Sequence, residues 1–307
     1  MVMARAIERR VWLLHRTGLA TASLANHGSE AVQVAAAASL RPGIDWVVPQ
    51  RGDLALCLAM GITPLDVMLG VLGRAGDPAS AGRLEPGSFG SREARIVATS
   101  STAGAHVLHA AGIAYGSKHL ARDEVTLVSA DGRAAGSGDW HEGINFAAVH
   151  RLPLICLVVD STGDTAVPLT QPESDPLVRR ASAYGAAGDA IPGADFDRGL
   201  ESFAKAVVRA RSGLGPTVIH ATVSSTSGLT VDGKVRPREE LELQARRDPI
   251  ELMGRALASA RLLDEATELR IHRDCLAVAA TAAGQARASA PPEAAAALDN
   301  VIGRNDG

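Results

Sequence analysis

Residues 125–161 read VTLVSADGRAAGSGDWHEGINFAAVHRLPLICLVVDS, and the order of apolar runs in this stretch decides the fold. VTLVS (125–129) and PLICLVV (153–159) are apolar without alternation. Strands of that kind are buried on both faces, as in a parallel sheet covered by helices. Between them, GDWHEGINFAAVH (138–150) has the length and composition of a helix. Strand, helix, strand makes a parallel βαβ unit, and ligands of such sheets bind outside the carboxyl ends of the strands. The first strand delivers Ala130-Asp131-Gly132 to that edge and the second delivers Asp160-Ser161. An Asp-Gly after a strand is in most cases only a turn. Oxygen side chains from neighbouring strand ends are also what Mg²⁺ on a diphosphate requires, with amides of the following helix turned toward phosphate.

Outward from this unit the alternation continues. Upstream, helices are expected over 3–25, from Glu30 to Leu40, and over 54–72, with Thr63-Pro64 restarting the last after a break. WVVPQRG (46–52) is a short strand or extended segment running into a turn. Residues 73–94 are rich in Gly and Pro and read as a loop that is either mobile or ordered by a partner or ligand. A small-residue helix occupies 103–120. Downstream come a helix around 175–183, the segment AAGDAI, a helix over 195–213, the strand PTVIHATV (216–223) and a polar loop at 224–237. After Asp248-Pro249 a helical region runs to about Ala288, followed by an Ala/Pro-rich tail. The fold class is α/β, a doubly wound and mostly parallel sheet flanked by helices. Residues 1–255 form the α/β domain and 256–307 a C-terminal helical extension and tail.

Bulk properties narrow the function. A chain of 307 residues with 46% hydrophobic and 21% charged residues is an ordinary globular one that can bury a large core. Only 3% is aromatic, so Ala, Val and Leu carry the packing. A net charge of −3 supplies no basic field for nucleic acid or an anionic membrane. No stretch approaches the ~20 apolar residues of a membrane span. The N-terminus carries charges throughout and lacks the apolar core of a secretion signal. Cys57, Cys156 and Cys275 are too few and too separated for a disulfide framework, and a reducing, cytoplasmic location is expected.

Several ordered motifs resemble the alpha subunit of thiamin-diphosphate-dependent 2-oxoacid dehydrogenases, of the pyruvate and branched-chain type. ADG, then GDWHEGINFAAVHRLPLICLVVDS, is similar to that family's cofactor motif, which runs GDG, a GDxHEALNFAAV helix and a strand ending in Asn-Asn. HGSEAVQVAAAASLRPGIDWVVPQRGD (27–53) resembles GQEA…RPGDDWVFPYYRDHG. Ser100-Ser101 with GAHVLHAAGIAYG (104–116) looks like the serine and helix beside the cofactor's pyrimidine, and RRDPIELM (246–253) matches the helix after the active-site loop. The likeness spans roughly residues 10–255 and implies the thiamin-diphosphate-binding fold.

The resemblance implies a cofactor site of Gln50, Arg51, Ser101, Ala103, Ala130, Asp131 and Gly132, binding thiamin diphosphate. It implies an Mg site drawn from Asp131, Asp160, Ser161 and Gly163. Asp131 is the first metal ligand. The second is Ser161 when counted from Pro153, but Asp160 when counted from Asp131, because one extra residue stands near Arg133–Ser137. A carboxylate is the better hard ligand. Other positions depart from the pattern. Ala130 replaces the first Gly of GDG, Gln50 a tyrosine, and Gly163 a residue that often supplies a tyrosine carbonyl. The loop expected to read YRxGPHS reads VSSTSGLTVDG (223–233), without its arginine or histidine. Each lost charge-assisted donor to diphosphate costs about 1.5–3 kcal/mol.

The function implied is decarboxylation of a 2-oxoacid and transfer of the acyl group to a lipoyl carrier. The partner is a beta subunit in an α₂β₂ assembly that supplies the rest of each active site. A degenerate partner subunit with weak or no cofactor binding, or a ketol- or acyl-transferring relative, stands as the alternative. The helix 103–120 and the INFAAVH face are expected at subunit interfaces. His106 and His109 read as structural hydrogen-bonders behind the pocket, His141 and Glu142 as packing residues, and His220 as a satisfied core residue.

Overall fold

The structure, a computed structural model, describes residues 1–21, 24, 28–98, 102–162, 177–224 and 238–298. Among the described residues five strands form one parallel sheet: β1 (Trp46–Val48), β2 (Thr126–Asp131), β3 (Leu154–Thr162), β4 (Ala187–Pro192) and β5 (Thr217–Ser224). Their order across the sheet is β1-β2-β3-β5-β4. The expected βαβ unit is present: β2 and β3 pair directly, Asp131 opposite Val159, joined by α6 (Gly138–Val149).

Period-two alternation sends each strand's side chains into two cores. Leu127, Ile155, Leu157, Val159 and Ile219 enter one. It is roofed by α1 (Val2–Arg16), α2 (Glu30–Ala38), α3 (Leu54–Met60), α4 (Pro64–Val71) and α8 (Phe196–Arg211), with fully buried Ile7, Leu56, Met68 and Phe203. Val128, Ala130, Cys156, Val158 and Val218 enter the other, beneath α5 (Ala105–His119), α6 and α7 (Leu177–Ala183), around Trp140 and Ile144. Covering both faces explains the unbroken apolar strands. Truncating Phe203 or Trp140 to Ala would cost about 3–5 kcal/mol by the usual cavity accounting.

The C-terminal region holds α9 (Arg238–Ala245), α10 (Pro249–Ser259) and α11 (Glu265–Ala288). The last turns of α11 insert Ala279, Ala282, Ala283 and Ala286 into the first core, against α1 and α4. Asp248 caps α10 through the Ile250 amide and takes a 2.7 Å ion pair from Arg5 of α1.

Two expectations need correction. The first helix ends at Arg16 rather than near residue 25, because Thr17 closes it and Gly18 follows at φ +73°. The Gly/Pro-rich stretch 73–94 carries contacts of its own, which its reading as a loop did not include. Its Asp77 carboxylate accepts from the amides of Ala79, Ser80 and Gly82, each at 3.1 Å, and from the Ser80 hydroxyl at 2.8 Å. Phe89 buries into the first core, and Ser91 bridges to Ile96. The loop at 224–237 lies outside the described residues beyond Ser224.

Candidate functional site

All five parallel strands end at the same edge of the sheet, and the carboxyl ends of three of them carry the candidate residues. After β1 come Gln50, Arg51 and Asp53; after β2, Gly132 and Arg133 follow the terminal Asp131; near the end of β3 stand Asp160 and Ser161. The carboxyl end of β5 opens into residues 225–237.

Asp131 is held by the turn that follows it. Its Oδ1 accepts from the Ala134 amide at 2.7 Å, and its Oδ2 faces Arg133 Nη2 at 3.3 Å. The turn 134–136 leads into α6, whose cap Ser137 accepts from the Trp140 amide at 3.2 Å. Asp160 approaches from the adjacent strand: a methyl placed on Gly132 would lie 3.1 Å from its Cγ and Oδ1. Glycine therefore allows the Asp160 carboxylate to close over the backbone after Asp131. On its other side, Asp160 Oδ2 lies 3.7 Å from His220 Nε2 of β5. His220 is thus not a satisfied core residue. It pairs with Val158 in the register, is partly exposed, and faces a carboxylate.

Among the described residues no cluster of three or more His, Cys, Asp or Glu side chains could hold a metal alone. Asp131 before Gly132 and Asp160 beside it are carboxylates of the kind that suits a hard divalent cation. Mg²⁺ is usually held by one or two carboxylates, with substrate phosphates and water completing its octahedron. The donor set fits an Mg-diphosphate and would make a poor closed metal centre.

The remaining predicted residues divide. Ala130 is fully buried in the second core, so its methyl packs beneath α5 and α6. Ala103 is exposed in the turn before α5. The next residue, Gly104 at φ +84°, packs so tightly on Ser137 and Ala134 that no side chain would fit. That contact brings the start of α5 against the turn after β2. Gln50 is half-buried and donates its backbone amide to Asp53 Oδ2 at 3.0 Å. Arg51 is exposed and reaches the Pro86 carbonyl at 3.5 Å. Ser101 and Gly163 lie outside the described residues, and Ser161 is described only by its backbone, within β3. His106 is the structural hydrogen-bonder expected: its Nε2 lies 2.8 Å from the Ser129 carbonyl, and burial lowers its pKa. His141 meets the Tyr184 hydroxyl at 2.6 Å, a packing contact between α6 and the turn after α7.

Sequence reasoning passed over Asp53. It is wholly buried at the start of α3, taking the Gln33 side-chain amide at 3.0 Å as well as the Gln50 amide. Burial pushes its pKa up to about 7; the nearby Ser129 hydroxyl and the Gln50 amides oppose the rise, and the charge of Asp131 adds to it. The available signal was an Asp directly before an apolar helix, a cap pattern that does not distinguish surface from core.

Comparison with known proteins agrees with this geometry. The pattern of the family described as dehydrogenase E1 component matches residues 1–295. The 2-oxoisovalerate dehydrogenase subunit alpha of Bacillus subtilis is 34% identical over 99% of this chain and 93% of its own length. The 3-methyl-2-oxobutanoate dehydrogenase subunit alpha of Mycobacterium tuberculosis is 32% identical over 89% of this chain and 74% of its own. A pyruvate dehydrogenase E1 component subunit alpha, from Acholeplasma laidlawii, is 26% identical over 90% of this chain and 78% of its own. With the parallel sheet, the acidic strand ends and the ordered motifs, these matches lead to one conclusion: the chain belongs to the dehydrogenase E1 component family, among its alpha subunits.

Proposed function

We propose that this chain is the alpha subunit of a thiamin-diphosphate-dependent component that decarboxylates a 2-oxoacid, with a branched-chain oxoacid as the first substrate to test. The observation that carries the reading is the arrival of Asp131 and Asp160 at the carboxyl ends of adjacent parallel strands, with the Asp160 carboxylate against Gly132. Those carboxylates would hold Mg²⁺, and the metal and the turn after β2 would receive the diphosphate. The start of α5, beside Ala103, would flank the pyrimidine. When bound, the cofactor supplies the carbanion needed to expel CO₂ from a 2-oxoacid. The chain's own work is to orient that group and neutralise its charge. The branched-chain preference rests on the higher identity to the two relatives named for that oxoacid than to the pyruvate-named one.

A beta subunit completing each site, in an α₂β₂ assembly, is part of the proposal, as is transfer of the acyl group to a lipoyl carrier. The outer faces of α5 and α6 support the partner. Leu108, Tyr115, Phe146 and Val149 stand 39–69% exposed, and the rings of Tyr115, Phe146 and His150 contact one another at that surface. Apolar exposure of that kind marks an interaction site more often than free surface. Among the described residues no helix is long and apolar enough to cross a membrane.

Thermal melting with thiamin diphosphate and Mg²⁺ tests the reading, on the chain alone and co-purified with its beta partner. Saturable stabilisation at micromolar cofactor, abolished in Asp131→Ala, is expected. No shift even with the partner present would favour a partner subunit without cofactor, for which the replaced loop residues already argue. A shift accompanied by ketol transfer but no decarboxylation would replace the proposed reaction.

A further inference from the structure

We infer that Arg133 is the cation that holds the anionic ligand at this strand edge, released from Asp131 when a metal takes that carboxylate. The inference rests on the proposed Mg-diphosphate site and adds to it the residue that balances its charge. Asp131 and Asp160 place carboxylates at neighbouring strand ends, and a diphosphate adds two or three more negative charges. A divalent cation offsets only part of that total, so the protein must contribute positive charge nearby.

Among the described residues, two basic side chains are within 4 Å of these carboxylates: Arg133 against Asp131 and His220 against Asp160. Arg51, the arginine implied by the family pattern, instead reaches the Pro86 carbonyl. The Arg133 guanidinium is 70% exposed and meets Asp131 Oδ2 at only 3.3 Å. A long, solvated, single-donor pair of this kind is weak and readily exchanged. The backbone beneath it is held firmly: Ala134 donates to Asp131 Oδ1, and Arg180 of α7 donates to the Ala135 carbonyl at 3.3 Å. Arg133 therefore projects from a rigid turn with a loosely engaged head. A metal bound to Asp131 would displace that head and free the guanidinium fork, whose geometry suits phosphate oxygens. The position lies in the segment 133–137 that holds one residue more than the family pattern, in a chain whose loop after β5 carries no arginine or histidine over 223–233.

The test is calorimetric titration of the full chain with its partner, using Mn²⁺ alone and then inorganic pyrophosphate with saturating Mg²⁺. In Arg133→Gln, pyrophosphate affinity should fall about 10–100-fold, the range of one lost charge-assisted contact. Affinity for Mn²⁺ alone should stay level or rise, because a competitor for Asp131 has gone. Arg133→Lys should recover most of the pyrophosphate affinity. A purely structural role would weaken both ligands together, and that outcome overturns the inference. So does unchanged pyrophosphate affinity in Arg133→Gln, or a loss that appears in Lys234→Ala or Arg236→Ala instead. Failure of the unaltered protein to bind Mg²⁺ and pyrophosphate would count first against the proposed function, and would remove this inference with it.

Discussion

At the amino end of the strands, Asp45 is fully buried and saturated. It accepts from the Arg41 amide at 2.7 Å, the Val125 amide at 2.9 Å and the Arg211 guanidinium at 2.6 Å. Glu124 beside it takes the Ser117 hydroxyl at 2.6 Å, the Trp46 indole at 3.1 Å and Arg95 at 2.8 Å. Burial pushes the Glu124 pKa up, but these donors outweigh it and leave it lowered. At the carboxyl end, Asp131 meets its arginine at 3.3 Å and Asp160 its histidine at 3.7 Å, both in partly exposed surroundings. One edge spends its carboxylates on pinning helices to strands. The opposite edge leaves them loosely paired, the condition in which a ligand can replace the partner. The chemical type is the same at both edges; the completeness of the partner shell separates structure from site.

The largest expected effect comes from breaking the saturated edge. Asp45→Ala leaves the Arg41 and Val125 amides without their acceptor and reduces Arg211 to its exposed pair with Asp123, and should destabilise by about 3–5 kcal/mol in chemical denaturation. A loss below ~1 kcal/mol would mean that the two edges do not differ as described.

Asp53 sharpens the comparison, since it is buried at the ligand edge. Its folded pKa of about 7 stands above the ordinary 3.8. The folded state therefore holds a proton that the unfolded state has released between those pH values. Stability from this group is complete below about pH 4 and is lost as pH rises to about 7. The full loss is up to ~4 kcal/mol at 1.36 kcal/mol per pH unit. Asp53→Asn should flatten that part of the profile, measured by urea unfolding at pH 5 and pH 8. An unchanged slope would show that Asp53 is ionised throughout.

Gly132→Ala should have the smallest effect on stability, under ~1 kcal/mol, because Gly132 does not adopt a positive φ and Asp160 need give only a few tenths of an ångström. The same methyl pushes the Asp160 carboxylate from its place over the turn, so Mn²⁺ affinity should drop several-fold. A variant that binds Mn²⁺ normally would remove Asp160 from the proposed metal site.

The scaffold was largely legible before any coordinates. The apolar runs at 125–129 and 153–159 placed β2 and β3, and Pro64 after Thr63 placed the start of α4, where the structure has a complete capping box between Thr63 and Asp66. The stretch 73–94 was less legible. Its composition suggested a loop, but one carboxylate, Asp77, collects the amides of residues later in the same segment, and composition does not reveal such a hub. Arg133 and Asp160 were visible as residue types, whereas the proximity of His220 to Asp160 was not. Reading His220 as core followed from its apolar neighbours in the chain. Its place in mid-strand opposite Val158, 3.7 Å from a carboxylate of another strand, decided otherwise.

By itself the sequence determined the parallel α/β architecture and the arrival of Asp131 and Asp160 at strand ends. Unbroken apolar runs can be satisfied only inside a two-sided sheet, and the residue after such a run must emerge at its edge. The family motifs were equally local. Only the tertiary structure decided which carboxylates are saturated. Arg211 lies 166 positions from Asp45, and Arg5 lies 243 from Asp248, so each shell is assembled by packing and not by spacing. Desolvation has the same origin: the helices and side chains packed around Asp53 hold its pKa near 7.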